Sequence, residues 1–183
     1  TPYTYDPSII RLDSEEMGTF DRLTDKINKL MASQDDQKPM TEEVKNLVLR
    51  RTRLIKSATA KQIQLEAMIT QQTDPHYTLV YCANKLEESA VVAMLAKHGI
   101  QGRRFDSSLS LAEREKVLKD FADGTIEVLV AVKCLDEGVD IPATREAYFL
   151  ASTSNPREFV QRRGRILRTS TGKEYARVHD FVV

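Results

Sequence analysis

Apolar positions along the chain fall into two textures. From residue 78 onward, short runs that are apolar throughout alternate with stretches of helical period. Thr78-Leu79-Val80-Tyr81-Cys82 is the first such run, and a helical pattern over Leu86, Ala90, Val91, Met94 and Leu95 follows and stops at Gly99. A brief strand at 103–105, a helix over 111–121 ending at Asp123-Gly124, and the run Val128-Leu129-Val130-Ala131-Val132 come next. Further strands are expected at 146–150 and 176–183, with a helix from 155 to about 166 between them. Strands apolar on both faces, joined by helices, predict a parallel sheet covered on both sides. Residues 73–183 are thus expected to form an α/β domain whose chemistry gathers beyond the carboxyl ends of the strands, after Cys82, Phe105, Val132 and Leu150.

Residues 1–72 read differently. One β-prone run, Ile9-Ile10-Arg11-Leu12, precedes a long helical stretch. Asp13 or Ser14 can cap a helix with Glu15 and Glu16 in its first turn. Met17, Phe20, Leu23, Ile27 and Leu30 then recur at three- and four-residue spacing, which makes one apolar face. The polar stretch SQDDQKP breaks that helix, and Thr41 starts a second over Val44, Leu47, Val48, Leu54 and Ile55. A third is expected from about Thr59 through Ile63, Leu65, Met68 and Ile69. This half is read as a strand plus helical lead-in, separate from the α/β domain.

Composition narrows the classes without choosing among them. Lys+Arg 27 against Asp+Glu 27 leaves no net charge, so any basic site must come from local clustering. A hydrophobic content of 41% with 30% charged residues describes an ordinary globular protein, not a disordered one. No apolar run approaches the roughly 18 residues of a membrane span, and the opening TPYTYDP has no signal-peptide pattern. An intracellular location, cytoplasmic or nucleoid-associated, is expected, with no membrane partner. The start at Thr1, without methionine, predicts a fragment of a longer protein. Cys82 and Cys134 each sit in an apolar stretch and are expected to be buried thiols of a reducing compartment; without a histidine cluster they argue against a zinc site.

Two segments carry candidate chemistry. In QRRGRILR, residues 161–168, helical spacing puts Gln161, Arg165 and Arg168 on one face. Arginine keeps its charge and offers a planar fork of donors that matches phosphate oxygens. Such a face can bind a terminal phosphate and stabilise charge during its transfer, or it can be a solvated basic surface. In VLVAVKCLDEGVDIP, residues 128–142, a buried strand opens into a loop with Lys133, Gly138 and Asp140. Gly138 permits close backbone approach, Asp140 can accept from ribose hydroxyls, and Lys133 can meet a phosphate; a plain turn with a surface carboxylate is the other reading.

The order and spacing of these segments resemble the second RecA-like domain of superfamily 2 helicases and translocases. In that family's terms residues 78–84 look like motif IV, 130–142 like motif V, and 161–168 like motif VI with the pattern Q-x-x-G-R-x-x-R. LDEGVDIP with QRRGRILR is nearer the duplex-translocating branch (XPB-like, UvrB-like, RadD-like and restriction-enzyme motor subunits) than DEAD-box RNA helicases. Those typically show Thr-Asp where this chain has Val132-Lys133, and His-Arg where it has Gln161-Arg162.

The resemblance implies a RecA-like parallel sheet with helices on both faces, preceded by an N-terminal helical segment. It implies Arg165 and Arg168 as catalytic arginines reaching the γ-phosphate of ATP, with Arg168 as the arginine finger. Gln161, Gly138 and Asp140 join them in binding ATP, and Asn84, Ser108 and Lys133 contact nucleic-acid phosphates, duplex DNA rather than RNA. Magnesium and the β- and γ-phosphates would be held mainly by a first RecA-like domain of the same polypeptide, because this sequence has no G-x-x-x-x-G-K-[ST] and no D-E-A-D or D-E-x-H run. Alone, the chain is expected to hydrolyse ATP negligibly. The implied role is the C-terminal motor domain of an ATP-dependent DNA helicase or translocase, in restriction or repair. A non-catalytic RecA-like module that docks a partner, and an RNA helicase domain, are the alternatives. In the basic stretch 45–61, Arg50, Arg51 and Arg53 cannot all share the apolar face; they either track DNA or pair with Asp35, Asp36, Glu42 and Glu43.

Overall fold

The computed structural model describes residues 1–33, 39–132, 139–151, 160–161 and 164–183. Six strands form one sheet: β1 Tyr3–Ile9, β2 Thr78–Cys82, β3 Gly102–Phe105, β4 Val128–Val132, β5 Glu146–Phe149 and β6 Ala176–Val182. Their order is β1-β6-β5-β2-β4-β3, and every neighbouring pair is parallel. β2 and β4 are buried at every position, as their unbroken apolar sequences require. Side chains alternate between two cores. Leu79, Tyr81, Leu129 and Phe149 face α5 (Leu111–Ala122) through Val117 and Phe121. Val80, Cys82, Val130 and Tyr148 face α3 (Thr59–Thr70) through Leu65 and Ile69, and α4 (Lys85–Lys97) through Val91 and Leu95.

The first strand is not where the β-prone run suggests. It is Tyr3–Ile9, in register with β6 from Tyr3 against Ala176 to Ile9 against Val182. Ile10 donates its N–H to Val182 at 2.7 Å and turns its side chain into the core, after which Asp13 caps α1 (Ser14–Ala32). The sequence YTYDPSI hides a strand because Pro7 and two polar residues interrupt it. An edge strand tolerates proline, since the missing N–H faces no further neighbour. β1 and α3, which precede residue 73, thus extend the sheet and cover one of its faces.

α1 and α2 (Glu42–Lys56) pair around a small core of their own, Ile27, Val44 and Leu47. The predicted caps are present: Asp13 and Glu16 form a capping box, and Thr41 Oγ1 accepts from Val44 N–H. Lys26 pairs with Glu43 and Lys45 with Glu42. Arg51 donates to Thr24 Oγ1 at 3.2 Å and lies over the Phe20 ring, so it belongs to the helix pair; Arg50 and Arg53 are exposed. The pair is tied to the rest through Glu16, whose Oε1 accepts from Thr59 N–H at 2.8 Å. Asp35 and Asp36 lie outside the described residues. So does most of the helix expected from 155, of which 160–161 and 164–166 are described and helical.

Candidate nucleotide and nucleic-acid rim

Because all strands run the same way, the segments after β2, β3, β4 and β5 emerge along one edge of the sheet. Two clusters stand there. The first is built on Asp140, which comes after β4 in the chain. Its Oδ2 meets Arg168 Nη1 at 2.6 Å, and its Oδ1 lies 3.9 Å from Arg165 Nη1. Oδ1 is buried and has no hydrogen-bond partner among the described residues. The Arg168 side chain keeps 61% of its exposure and Arg165 27%, so the finger candidate is paired yet open to solvent. Ile166, on the same turn, is buried in the α5-side core and fixes the two arginines on the surface on either side of it. Backbone bonds join the two segments, Ile141 N–H donating to the Arg165 carbonyl at 3.3 Å. Gln161 is exposed on the described helical residues. Gly138 and Lys133 lie outside the described residues.

The second cluster is built on Asp106, just past β3. Its Oδ1 accepts from both the N–H and the hydroxyl of Ser108, at 2.7 and 2.5 Å, and its Oδ2 pairs with Lys85 at 3.2 Å. The Ser108 hydroxyl, then its N–H and Lys85, hold the Asp106 carboxyl below its usual range. Asn84 is the N-cap of α4: its Oδ1 accepts from Leu86 and Glu87 N–H, both at 3.0 Å, a bond that leaves its amide NH2 unused by the cap. Around Asp106 runs a groove of about 530 Å³ lined by Lys85, Ser89, Arg103, Arg104 and Ser108 among others. Asn84 and Ser108 are therefore brought to one rim, beside three cations that the sequence reasoning did not single out. Arg103 and Arg104 occupy β3, where a strand pattern drew attention to Phe105 alone.

Beneath this rim the thiol of Cys82 is buried, as expected, and burial followed by Glu87 pushes its pKa up. Cys134 lies outside the described residues. Among the described residues no group of three or more His, Cys, Asp or Glu side chains is placed to hold a metal ion, and no helix is long and apolar enough to cross a membrane.

A model of the helicase conserved C-terminal domain matches residues 60–170, well over half of the sequence. The chain belongs to this family. Among curated relatives, the DNA 3'-5' translocase XPB2 of Sulfurisphaera tokodaii is 46% identical over 56 residues, 31% of this chain and 13% of that protein. The UvrABC system protein B of Chlamydia muridarum is 32% identical over 130 residues, 65% of this chain and 19% of the relative. This chain thus spans about a fifth or less of the length of these proteins. The SWI2/SNF2 ATPase core of Sulfolobus solfataricus, solved with duplex DNA, superposes with a TM-score of 0.76 at 13% identity, over 98% of this chain and 41% of that one. The C-terminal part of the Fun30 ATPase domain gives 0.72 at 11% identity, over 98% and 84%. These structures establish the RecA-like fold. With the family match they make this chain a superfamily 2 C-terminal RecA-like domain.

Proposed function

We propose that this domain is the C-terminal motor domain of an ATP-dependent superfamily 2 DNA translocase or helicase, working in restriction or repair. In this proposal Arg168 is its arginine finger and Arg165 a second phosphate-binding cation. The observation that carries it is the Asp140–Arg168–Arg165 cluster: two arginines from motif VI stand solvent-accessible beside the exit of motif V, at the sheet edge where a second lobe can close. ATP supplies the phosphoryl group. The two guanidiniums fit its terminal phosphate by charge and donor geometry, and Asp140 Oδ1, a buried acceptor without a hydrogen-bond partner among the described residues, fits a ribose hydroxyl. Gln161 and Gly138 are assigned to the same nucleotide edge. Magnesium is assigned to the first RecA-like domain of the parent protein, as are the β- and γ-phosphates.

Phosphoryl transfer asks the protein for positioning and charge stabilisation more than for a covalent partner. Arg168 exchanges one anionic neighbour for another, from the carboxylate of Asp140 to the phosphate. Closing the lobes makes that exchange, and reopening returns the arginine to Asp140. Asn84, Lys133 and Ser108, with Lys85, Arg103 and Arg104 beside them, are assigned to one strand's phosphates. Motion of the nucleotide cluster then shifts the nucleic-acid rim along the backbone. Duplex DNA is favoured over RNA because the motif V and VI sequences differ from the DEAD-box forms; the relatives themselves include both a DNA translocase and a nucleolar RNA helicase.

The test is Arg168→Ala in the full-length protein. Nucleic-acid-stimulated ATPase is expected to fall by about 10³–10⁵ while the melting temperature is unchanged. Undiminished turnover refutes the finger. Stimulation by RNA in preference to duplex DNA overturns the choice of nucleic acid.

A further inference from the structure

Lys173 lies in the turn between the motif VI segment and β6, in a TGKEY sequence that suggests nothing beyond a solvated loop. It is nevertheless buried, with 8% exposure. Its ammonium donates to three backbone carbonyls: Pro142 at 3.0 Å, Arg168 at 3.2 Å, and Ile166 at short range. An ammonium has three N–H donors and no acceptor, so this set is complete. The carbonyls of Ile166 and Arg168 belong to the end of a helical turn, where backbone acceptors lack intrahelical partners. A cation placed there also meets the negative end of the helix. Pro142 is the last residue of the motif V segment.

Lys173 therefore ties the exit of motif V to the end of motif VI, the segment that carries the two arginines. Its own turn is braced. Gly172 has φ +73°, Lys173 N–H bonds the Ser170 carbonyl at 3.1 Å, and Arg145 Nη2 donates to the Gly172 carbonyl at 3.2 Å while its guanidinium stacks over Tyr77 at 4.2 Å. Thr1 Oγ1 adds a bond to the Arg168 carbonyl at 3.2 Å.

We propose that Lys173 is a positioning residue that locks motif V to motif VI through its three carbonyl bonds and so fixes the guanidiniums of Arg165 and Arg168 for phosphate. The proposal rests on the arginine assignment above and adds to it the residue that aims the arginines. Arg145 before β5 is the charged group that acts on Lys173; Glu174 is next in the chain, and Asp140, Arg165 and Arg168 stand on the segments it bonds. Burial, then Arg145, lowers its pKa from 10.5 to about 8. The ammonium is thus fully formed near pH 7 and gives way to an amine as pH rises through about 8. The amine has two donors and a lone pair facing three carbonyls, so one bond is lost. Stability moves the other way: a lysine whose folded pKa lies below its unfolded value adds stability as pH climbs from about 8 toward 10.5. Loss of activity without loss of stability across that window is what a merely structural lysine does not produce.

The test uses the full-length protein with Lys173→Met, Lys173→Arg and, in parallel, Arg168→Ala. Lys173→Met is expected to lower kcat of the stimulated ATPase by about 10- to 100-fold with KM for ATP changed less than about threefold, as for a misaligned catalytic group. Lys173→Arg, which keeps charge and donors, is expected to recover part of that rate and to lose the wild-type decline above pH 8. Wild-type kcat in a folded Lys173→Met protein overturns the lock. A second measurement covers a variant that does not fold: NMR titration of wild-type Lys173 in the 183-residue chain. There the amide shifts of residues 166–168 are expected to move with a midpoint near 8. A Lys173 titration that leaves those amides unmoved overturns the lock. Undiminished turnover in Arg168→Ala sinks the arginine assignment instead, and the NMR arm then decides the lock alone.

Discussion

Two aspartates organise the working edge of this sheet, and they do so in opposite ways. Asp106 takes two of its bonds from Ser108, two residues on, and the third from Lys85 at the start of the neighbouring helix. Its side chain is only 9% exposed, and its cluster is a closed turn. Asp140 pairs with two arginines that follow β5 in the chain and remains a third exposed, with Oδ1 lacking a hydrogen bond among the described residues. A carboxylate satisfied locally builds a platform. One satisfied by a distant segment couples that segment to its own, and its bonds can be exchanged without unfolding anything. In the proposed function the Asp106 rim is accordingly fixed and the Asp140 rim movable.

The largest effect on stability is expected from breaking the platform. Asp106→Ala strands the Ser108 N–H and hydroxyl and frees Lys85, which costs about 1–3 kcal/mol for a buried hydrogen-bonded carboxylate. Melting should fall by about 2–4 °C per kcal/mol in a domain of this size, measurable by calorimetry. Because Ser108 holds the Asp106 pKa below its unfolded value, its stabilisation is present above about pH 4 and is lost as pH falls through the folded value. The variant should therefore lose the part of the acid sensitivity that belongs to this group. Equal melting of both proteins at pH 7 would show that the turn does not depend on the carboxylate.

Asp140→Ala sharpens the contrast from the other side. A half-exposed ion pair stabilises by less than about 1 kcal/mol, so melting should move less than in Asp106→Ala. Its effect belongs in nucleotide use. If Oδ1 accepts from the ribose, the preference of the full-length ATPase for ATP over 2′- or 3′-deoxy-ATP should shrink by about 2- to 10-fold, the worth of one hydrogen bond. An unchanged preference removes Asp140 from the ribose and leaves it as the resting partner of Arg168.

The same contrast explains what was legible in the sequence. β2 and β4 announced themselves because both faces are buried, which forces every residue to be apolar. Arg165 and Arg168 were singled out by their spacing together with the motif they resemble; in the structure the helical residues stop at Ile166 and both guanidiniums lie beside Asp140. β1 was not, since a proline at a sheet edge costs little and YTYDPSI has no strand pattern. Lys173 and Lys61 were equally hidden. Each is a lone lysine in a polar stretch, yet the Lys61 ammonium is buried and donates to the Leu150 carbonyl at 2.7 Å, as Lys173 does to its three. Local pattern reports which side chains meet water on an isolated element. It does not report which backbone carbonyls from elsewhere arrive to meet a cation. Arg51, apparently one more charge in a basic run, packs over Phe20 for the same reason.

The smallest expected effect tests whether the platform carries nucleic acid. Arg103, Arg104 and Lys85 line the groove around Asp106, on the same rim as Asn84 and Ser108. Each cation that neutralises one phosphate releases condensed counterions and contributes about 0.9 to the slope of log affinity against log salt on duplex DNA, and about 0.7 on single strands. Arg103→Ala and Arg104→Ala in the full-length protein should each reduce that slope by up to this amount, with little change in melting, because both side chains are exposed on the strand at the sheet edge. Arg50→Ala is the comparison: it is exposed on α2, in a helix pair with its own separate core, and should leave the slope unchanged. A reversed result, with Arg50 altering the slope and the β3 arginines silent, would move the nucleic-acid path from the sheet edge to the helix pair. It would also strip the Asp106 cluster of its role as a platform, since a rigid turn that carries no ligand is only a turn.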